Sequence, residues 1–113
     1  MVEVKRMSRE FTEVEIYLMT LDNDITSCKD LKDGTEIEVD GFIEYTDTKE
    51  NGKSEDVFSI LSTDGKVYAC TSKTFARNVQ DIANIFKGGK FTIVKKSGKT
   101  KADKPFIMAS LKH

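Results

Sequence analysis

Residues Ser72 to Gly89, SKTFARNVQDIANIFKGG, are the stretch that decides the fold. Ser72 is a residue type that caps helix N-termini, and Gly88-Gly89 favours departure from helical geometry after Lys87. Between these ends, apolar residues recur at spacings of four, three and four, which keeps them on one face of a helix. The stretch therefore predicts a core helix with a buried apolar stripe formed by Phe75, Val79, Ile82 and Phe86.

Three strand-like runs precede this helix and two follow it. The first, Thr35 to Asp47, alternates apolar and acidic residues around a mid-strand Gly41, which predicts a bulge that decides whether Phe42 or Ile43 faces inward. The next two form a hairpin, and the last two flank a lysine-rich turn. These four later runs are VFSILS (57–62), KVYACT (66–71), KFTIVKK (90–96) and PFIMASLK (105–112).

The hairpin between the second and third runs has a predicted register. A two-residue turn at Asp64-Gly65 places Leu61 opposite Tyr68 and leaves small neighbours beside the Tyr68 ring. Both faces of the hairpin are then partly apolar. We expect one face to be covered, either by the N-terminal segment or by a ligand.

The N-terminal residues carry a weaker pattern. Residues 1–10 are expected to form a loose lead-in to a single domain that spans residues 1–113. Beyond it, Thr12 and Glu15 can form a capping box, which favours a short helix or turn over a strand that carries Val14, Ile16 and Leu18. The apolar residues at helical spacing are Phe11, Val14, Leu18 and Leu21.

This order of elements predicts a mainly β fold: a five-stranded OB-fold barrel with one helix between strands three and four, plus a short N-terminal helix or extension. Two other architectures fit less well. An SH3-like barrel has no helix of this length, and an α+β sheet would lay the helix across one face.

Composition narrows the class of protein. The chain has 113 residues, of which 38% are hydrophobic and 33% are charged, and it has no apolar run of membrane-spanning length and no leader-like N-terminus. We therefore expect a cytoplasmic protein without a membrane partner. Cys28 and Cys70 are too few and too far apart in sequence for a disulfide framework, and the expectation is two buried, reduced thiols.

Charge is segregated along the chain. Residues 1–86 hold ten Lys or Arg against eighteen Asp or Glu, while residues 87–113 hold eight Lys against Asp103 alone. The formal net charge of −1 conceals these halves of −8 and +7. A segregated field can attract a polyanion locally even when the whole protein is acidic.

Enzymatic function is not expected. The one histidine is the terminal His113, so no His-based acid–base pair, triad or metal cluster can be assembled. Gly88-Gly89-Lys90 follows a helix and lacks the P-loop frame. A solvated face is the simplest interpretation of the carboxylates Glu36, Glu38 and Asp40, and neither a metal nor a cofactor is predicted.

The chain resembles the small single-stranded DNA-binding proteins of bacteriophages and prophages, which have OB-folds. The resemblance lies in EIYLMT (15–20), ITSCKDLKDGTEIEVDGF (25–42), STDGKVYACTSKTFARN (62–78) and FTIVKKSGKTKADKPFI (91–107). It implies binding of single strands during DNA replication or recombination. Many of these proteins end in an acidic tail that recruits partners, whereas this chain ends in ASLKH, which argues against such recruitment.

Sequence-tolerant binding of a single strand needs cations along the phosphates and aromatic faces on which bases stack. Tyr68 is the first aromatic candidate, and Phe42, Tyr45 and Phe106 are further ones. The hairpin KKSGKTKADK joins the fourth and fifth predicted strands, where OB-folds have a ligand-binding loop. It supplies cations at that position. The predicted cationic residues are Lys66, Lys95, Lys96, Lys99, Lys101 and Lys104.

The alternative function is an OB-fold interaction module, an adaptor or inhibitor that binds another protein through its groove or edge strand. The acidic half of the chain suits a basic protein partner. Single-stranded DNA is the expected partner, with replication or recombination proteins and a second copy of the chain as further candidates. The site size and the preference between DNA and RNA stay open. The position of Tyr68 relative to the lysine hairpin discriminates between the two functions.

Overall fold

The computed structural model describes residues 1–113 and contains two α-helices and seven strands in one sheet. A single turn of 3-10 helix, Cys28–Asp30, follows the second strand. The elements in chain order are β1 (Val2–Met7), α1 (Glu13–Thr20), β2 (Thr26–Ser27), β3 (Glu36–Thr48), β4 (Ser54–Ser62), β5 (Val67–Cys70), α2 (Lys73–Phe86), β6 (Phe91–Lys99) and β7 (Pro105–Leu111).

The sheet is a curled, open half-barrel, which confirms only part of the predicted five-stranded OB-fold barrel. Its strands follow the order β2-β5-β4-β3-β6-β7, and β1 pairs with β3 off this path. Closure would require β5 to pair with β7, but the short β2 runs parallel to β5 and occupies its remaining edge, with Ser27 opposite Ala69. The fold is thus mixed α/β, and the predicted position of the helix between the third and fourth main strands is confirmed.

The glycine in β3 marks a bulge, as predicted. The pairing of β3 with β4 shifts register between Val39 and Gly41. Phe42 then faces the main core, where its ring centroid lies 5.2 Å from that of Phe58, and Ile43 faces the opposite side. A Cβ at Gly41 would lie 2.6 Å from Cζ of Phe11, so only glycine lets this ring rest on the backbone of β3.

The predicted register of the β4–β5 hairpin is wrong by one residue. Leu61 pairs with Val67 and Ile60 pairs with Tyr68. The N–H of Ser62 donates to the carbonyl of Lys66 at 2.9 Å, which closes a three-residue loop in which Gly65 alone has a positive φ, +87°. A two-residue type I′ turn would need Asp64 in the left-handed region as well.

Helix α2 behaves as its sequence predicts. The backbone N–H of Phe75 donates to Oγ of Ser72 at 3.1 Å, and Lys87 ends the helix in the left-handed region. Phe75 and Val79 are fully buried in the main core, which lies between α2 and the inner face of the sheet. The stripe weakens toward its end, because Phe86 is 38% exposed and packs on Phe91 at the margin of the core.

The N-terminal residues are more ordered than the sequence predicted. Val2–Met7 form β1, which pairs antiparallel with β3, so the expectation of a loose lead-in is wrong for these residues. The capping box of Thr12 and Glu15 is confirmed at the start of α1. The predicted apolar stripe is wrong in part, because Val14 is 67% exposed and Leu21 is 62% exposed, whereas Met19 is fully buried.

Helix α1 covers part of the outer face of the sheet. Met19 packs with Leu61 and Val67 of the β4–β5 hairpin in a second core cluster, to which Leu18 also contributes. The expectation that one face of this hairpin is covered is therefore confirmed, and of the two predicted coverings the N-terminal segment is the one found on this face. Neither helix combines the length and the apolar character that a membrane crossing needs.

Candidate functional site

A groove of about 790 Å³ runs between the β3–β4 hairpin and the β6–β7 hairpin, with β5 in its wall. Its lining takes Tyr45 and Val57 from the side of the second core cluster, and Cys70 and Ile107 from the side of the main core. Its lining residues are Ser27, Lys29, Tyr45, Asp47, Lys49, Glu55, Val57, Ala69, Cys70, Thr71, Ser72, Ser97, Pro105, Phe106 and Ile107.

Two of the predicted aromatic residues line this groove. Phe106 lies opposite Gly98 in the β6–β7 ladder, where an added Cβ would come within 2.7 Å of Cζ of the ring. The ring of Phe106 therefore rests across the glycine, half-buried. Tyr45 is only 6% exposed, and its hydroxyl donates to the carbonyl of Thr20 at 3.5 Å. Phe106 thus offers ring surface, whereas Tyr45 forms the floor.

The environment of Tyr45 keeps its hydroxyl protonated. Burial raises the pKa of Tyr45, and the carboxylates of Asp47 and Glu55 in the same groove raise it further. A neutral phenol adds no negative charge to the floor. The groove lining itself holds two lysines and two acidic residues, so it is close to neutral.

The other two predicted aromatic residues lie on the opposite face of the sheet. The one-residue difference in register turns Tyr68 toward the main core, where it packs half-buried beside Cys70 and opposite Ile60. Phe42 packs there on Phe58. The structure does not bring Tyr68 or Phe42 together with the lysine hairpin.

One predicted cation, Lys95, points into the protein. Its side chain is 3% exposed, and its Nζ donates to the carbonyl of Leu31 at 2.7 Å, to Oγ of Ser97 at 3.0 Å and to Oδ1 of Asp33 at 3.2 Å. These three acceptors use all the donors of an ammonium group. The prediction that Lys95 faces a ligand therefore fails on geometry, because no donor remains for a phosphate.

The carboxylate of Asp33 is bound to this lysine, and the pairing predicts a pH dependence. The hydrogen bond from Ser97 and the ammonium of Lys95 lower the pKa of Asp33 below its usual 3.8. A lowered folded-state pKa adds stability that is present above the unfolded-state value and is lost as the pH falls through the folded-state value. We expect the difference in urea midpoint between wild type and Asp33→Asn to be constant near pH 7 and to shrink below about pH 4.

The control for this pH experiment is Asp64→Asn. The backbone N–H of Lys66 chiefly lowers the pKa of Asp64, so the difference for this variant should also shrink below about pH 4, and it shows the size of the effect for a carboxylate on a turn without an inward-pointing lysine. A difference for Asp33→Asn that stays unchanged down to pH 3 would contradict the described pairing of Asp33 with Lys95.

The remaining predicted lysines are exposed. Lys99 lies 3.5 Å from Asp103 across the turn, whereas the ammonium groups of Lys101 and Lys104 have no ion-pair or hydrogen-bond partner. Lys96 is exposed on β6. The turn 100–104 leads directly into Pro105 and Phe106, both of which line the groove.

Lys66 lies apart from this group. It sits in the turn between β4 and β5, at the opposite end of these strands from Val57 and Cys70, which line the groove. It is exposed, but the structure does not bring it together with the lysines of the β6–β7 hairpin.

Sequence reasoning missed two groove lysines, Lys29 and Lys49. Lys49 stands in the loop between β3 and β4, and a signal for it existed, because the loop between the first two barrel strands is the second ligand loop of OB-folds. Lys29 lies in the 3-10 turn and carries no such signal. No group of three or more His, Cys, Asp or Glu side chains is placed to hold a metal ion.

Comparisons with known proteins identify relatives. A family model described as "Phage Single-stranded DNA-binding protein" matches residues 9–112. The chain is 37% identical over 62 residues to the single-stranded DNA-binding proteins of Bacillus phage phi29 and Bacillus phage PZA. This alignment covers 52% of the chain and spans only about half, 50%, of each relative's length. No solved structure matches the chain.

Proposed function

This chain belongs to the phage single-stranded DNA-binding protein family, and we propose that it binds single-stranded DNA in the groove between its two long hairpins, with little dependence on base sequence. Its role in this proposal is phage DNA replication or recombination in the host cytoplasm. The family consists of binding proteins and not of enzymes, in agreement with the sequence prediction.

The observation that carries the proposal is the groove lined by Phe106, which follows directly in the chain on the lysine-bearing turn between β6 and β7. Unpaired bases stack on aromatic rings whatever their identity, because every base has a π-face. In the proposed complex, one base stacks on Phe106, and Tyr45 and Val57 form the apolar floor beneath its neighbours.

The phosphates would follow the exposed cations at the two ends of the groove. Lys101 and Lys104 have free ammonium groups on one side, and Lys49 stands on the other, 4.0 Å from Glu55. Lys96 and Lys99 extend the positive surface of the β6–β7 hairpin. Because the groove lining is close to neutral, these flanking lysines supply most of the attraction for the backbone.

We further propose that the main sheet is an opened OB-type barrel. Strands β3, β4 and β5, helix α2, and strands β6 and β7 follow the OB order, and β3 pairs with both β4 and β6. In this assignment the groove lies where OB-folds bind oligonucleotides, between the loop that joins the first two strands and the loop that joins the last two. Strands β1 and β2 are additions to that framework.

The direct test of the proposal is fluorescence anisotropy with a labelled oligo-dT and a duplex of equal length, each at two salt concentrations. We expect binding of the single strand that weakens as salt rises, and much weaker binding of the duplex. A protein that binds neither ligand at low salt, or both equally, would refute the proposal.

A pair of charge variants then locates the site. Lys101→Glu/Lys104→Glu is expected to weaken oligo-dT binding on the order of tenfold, and to reduce the slope of log K against log salt by about 1.4, because each phosphate contact on a single strand contributes about 0.7. Lys87→Glu/Lys90→Glu is the matched control, since it makes the same charge change at two exposed lysines outside the groove. Equal losses from both pairs would mean that net charge, and not the groove, governs binding.

A further inference from the structure

Cys28 and Cys70 are neighbours in space although they are far apart in sequence. The parallel pairing of β2 with β5 aligns Ser27 with Ala69, so Cys28, the first residue of the 3-10 turn after β2, lies beside Cys70, the last residue of β5. Neighbouring strands lie about 4.8 Å apart, within the Cα separation of roughly 4.4–6.8 Å that a disulfide spans. Both side chains belong to the main core cluster, and both thiols are free.

The two thiols differ in access and in chemistry. Cys28 is fully buried, whereas Cys70 retains 8% exposure and lines the groove. The interaction with the neighbouring thiol, together with burial, raises the pKa of Cys28, and the same interaction lowers the pKa of Cys70. The thiolate is the reactive form of cysteine, so Cys70, the less buried of the two thiols and the one whose pKa is lowered, is the thiol that a small oxidant would meet.

We propose that Cys28 and Cys70 form a redox couple in which a peroxide converts the two thiols into an intramolecular disulfide. In the first step the Cys70 thiolate attacks one oxygen of hydrogen peroxide, an S–O bond forms, and the O–O bond breaks. The departing hydroxide takes up the proton that Cys70 had lost and leaves as water. Cys70 is then a sulfenic acid.

In the second step the Cys28 sulfur attacks the sulfenic sulfur of Cys70. The S–S bond forms, the S–O bond breaks, and the leaving hydroxide takes the proton of the Cys28 thiol to give a second water. Two thiols have lost two electrons, and one peroxide has become two waters. The product is a covalent link across the groove wall, between β5 and the turn that carries Lys29.

The test uses the reduced full-length protein treated with hydrogen peroxide. We expect the intact mass to fall by two hydrogens, the two thiols measured under denaturing conditions to disappear, and the protein to stay monomeric on a non-reducing gel. The thermal midpoint should rise by several degrees, because the bond closes a long loop, and dithiothreitol should reverse every change. The inference fails if both thiols persist under conditions that oxidise free glutathione, or if the disulfide joins two chains.

Two variants test the order of the steps. In Cys28→Ala, Cys70 should stop at the sulfenic acid and be trapped by dimedone, whereas in Cys70→Ala the buried Cys28 should stay unmodified. The reverse pattern would overturn the assignment of Cys70 as the attacking thiol. The wild-type mass measurement needs no variant, so the disulfide itself is tested even if a variant folds poorly. None of these readouts depends on DNA binding.

Discussion

Replacement of Phe75 by alanine is expected to lower the free energy of unfolding by about 3–5 kcal/mol. The Phe75 ring is fully buried in the main core, where it fixes the first turn of α2 to the inner face of the sheet. Its removal loses the transfer free energy of a phenyl group and leaves a cavity that the neighbouring strands cannot fill. Urea unfolding followed by circular dichroism measures the loss.

Ile85→Ala on the same helix is the matched control. Ile85 is 76% exposed, so its truncation removes few buried contacts. The expected change in the free energy of unfolding is within about 0.5 kcal/mol. Alanine is also the better helix former of the two residues. Equal losses from Phe75→Ala and Ile85→Ala would show that α2 does not pack with the described face toward the sheet.

Local signals explain what the sequence could predict of the fold. Helix α2 was predictable because its caps and its apolar period lie within one continuous stretch. The bulge at Gly41 was predictable because this glycine interrupts one continuous run of alternating apolar and acidic residues. Strand β1 was missed because Val2 and Val4 alternate with polar residues over only four positions, too few to indicate a strand without its partner β3.

The errors at the candidate site concern which face of the sheet a side chain lies on. Local composition does not determine that face. A one-residue slip turns every side chain of a strand to the other face, and the loop type at Gly65 moved Tyr68 in this way. For Lys95 a signal existed, because it alternates with the buried Phe91 and Ile93 along β6. The lysines of β6 therefore do not form one exposed group, because the strand period points Lys95 inward.

The groove itself could not be predicted from any single stretch. It is assembled from β3, β4, β5, the turn after β2, and the β6–β7 hairpin, so its lining depends on how the sheet curls. Of the predicted aromatic residues it includes Phe106 and Tyr45, and it excludes Tyr68 and Phe42. The sequence predicted the types of residue that bind single-stranded DNA. Only the structure shows which face of the sheet each of them lies on.

Phe106→Leu is accordingly expected to weaken binding of oligo-dT by about 1–3 kcal/mol, or about 5- to 140-fold, because one stacked base loses its ring. Leucine retains apolar contact with Gly98 and the groove wall, so the fold should persist. The measurement is anisotropy at fixed salt, with the thermal midpoint of each variant recorded beside it. The loss should be independent of salt, because a stacking contact releases no counterions.

Tyr68→Leu is the matched control, since it removes a half-buried aromatic ring from the other face of the same sheet. It is expected to lower stability while it leaves DNA affinity within about twofold, because Tyr68 lies outside the groove. If Tyr68→Leu weakened binding and Phe106→Leu did not, the single-stranded DNA would bind the sheet face that carries the main core. The groove between the hairpins would then have to be abandoned as the site.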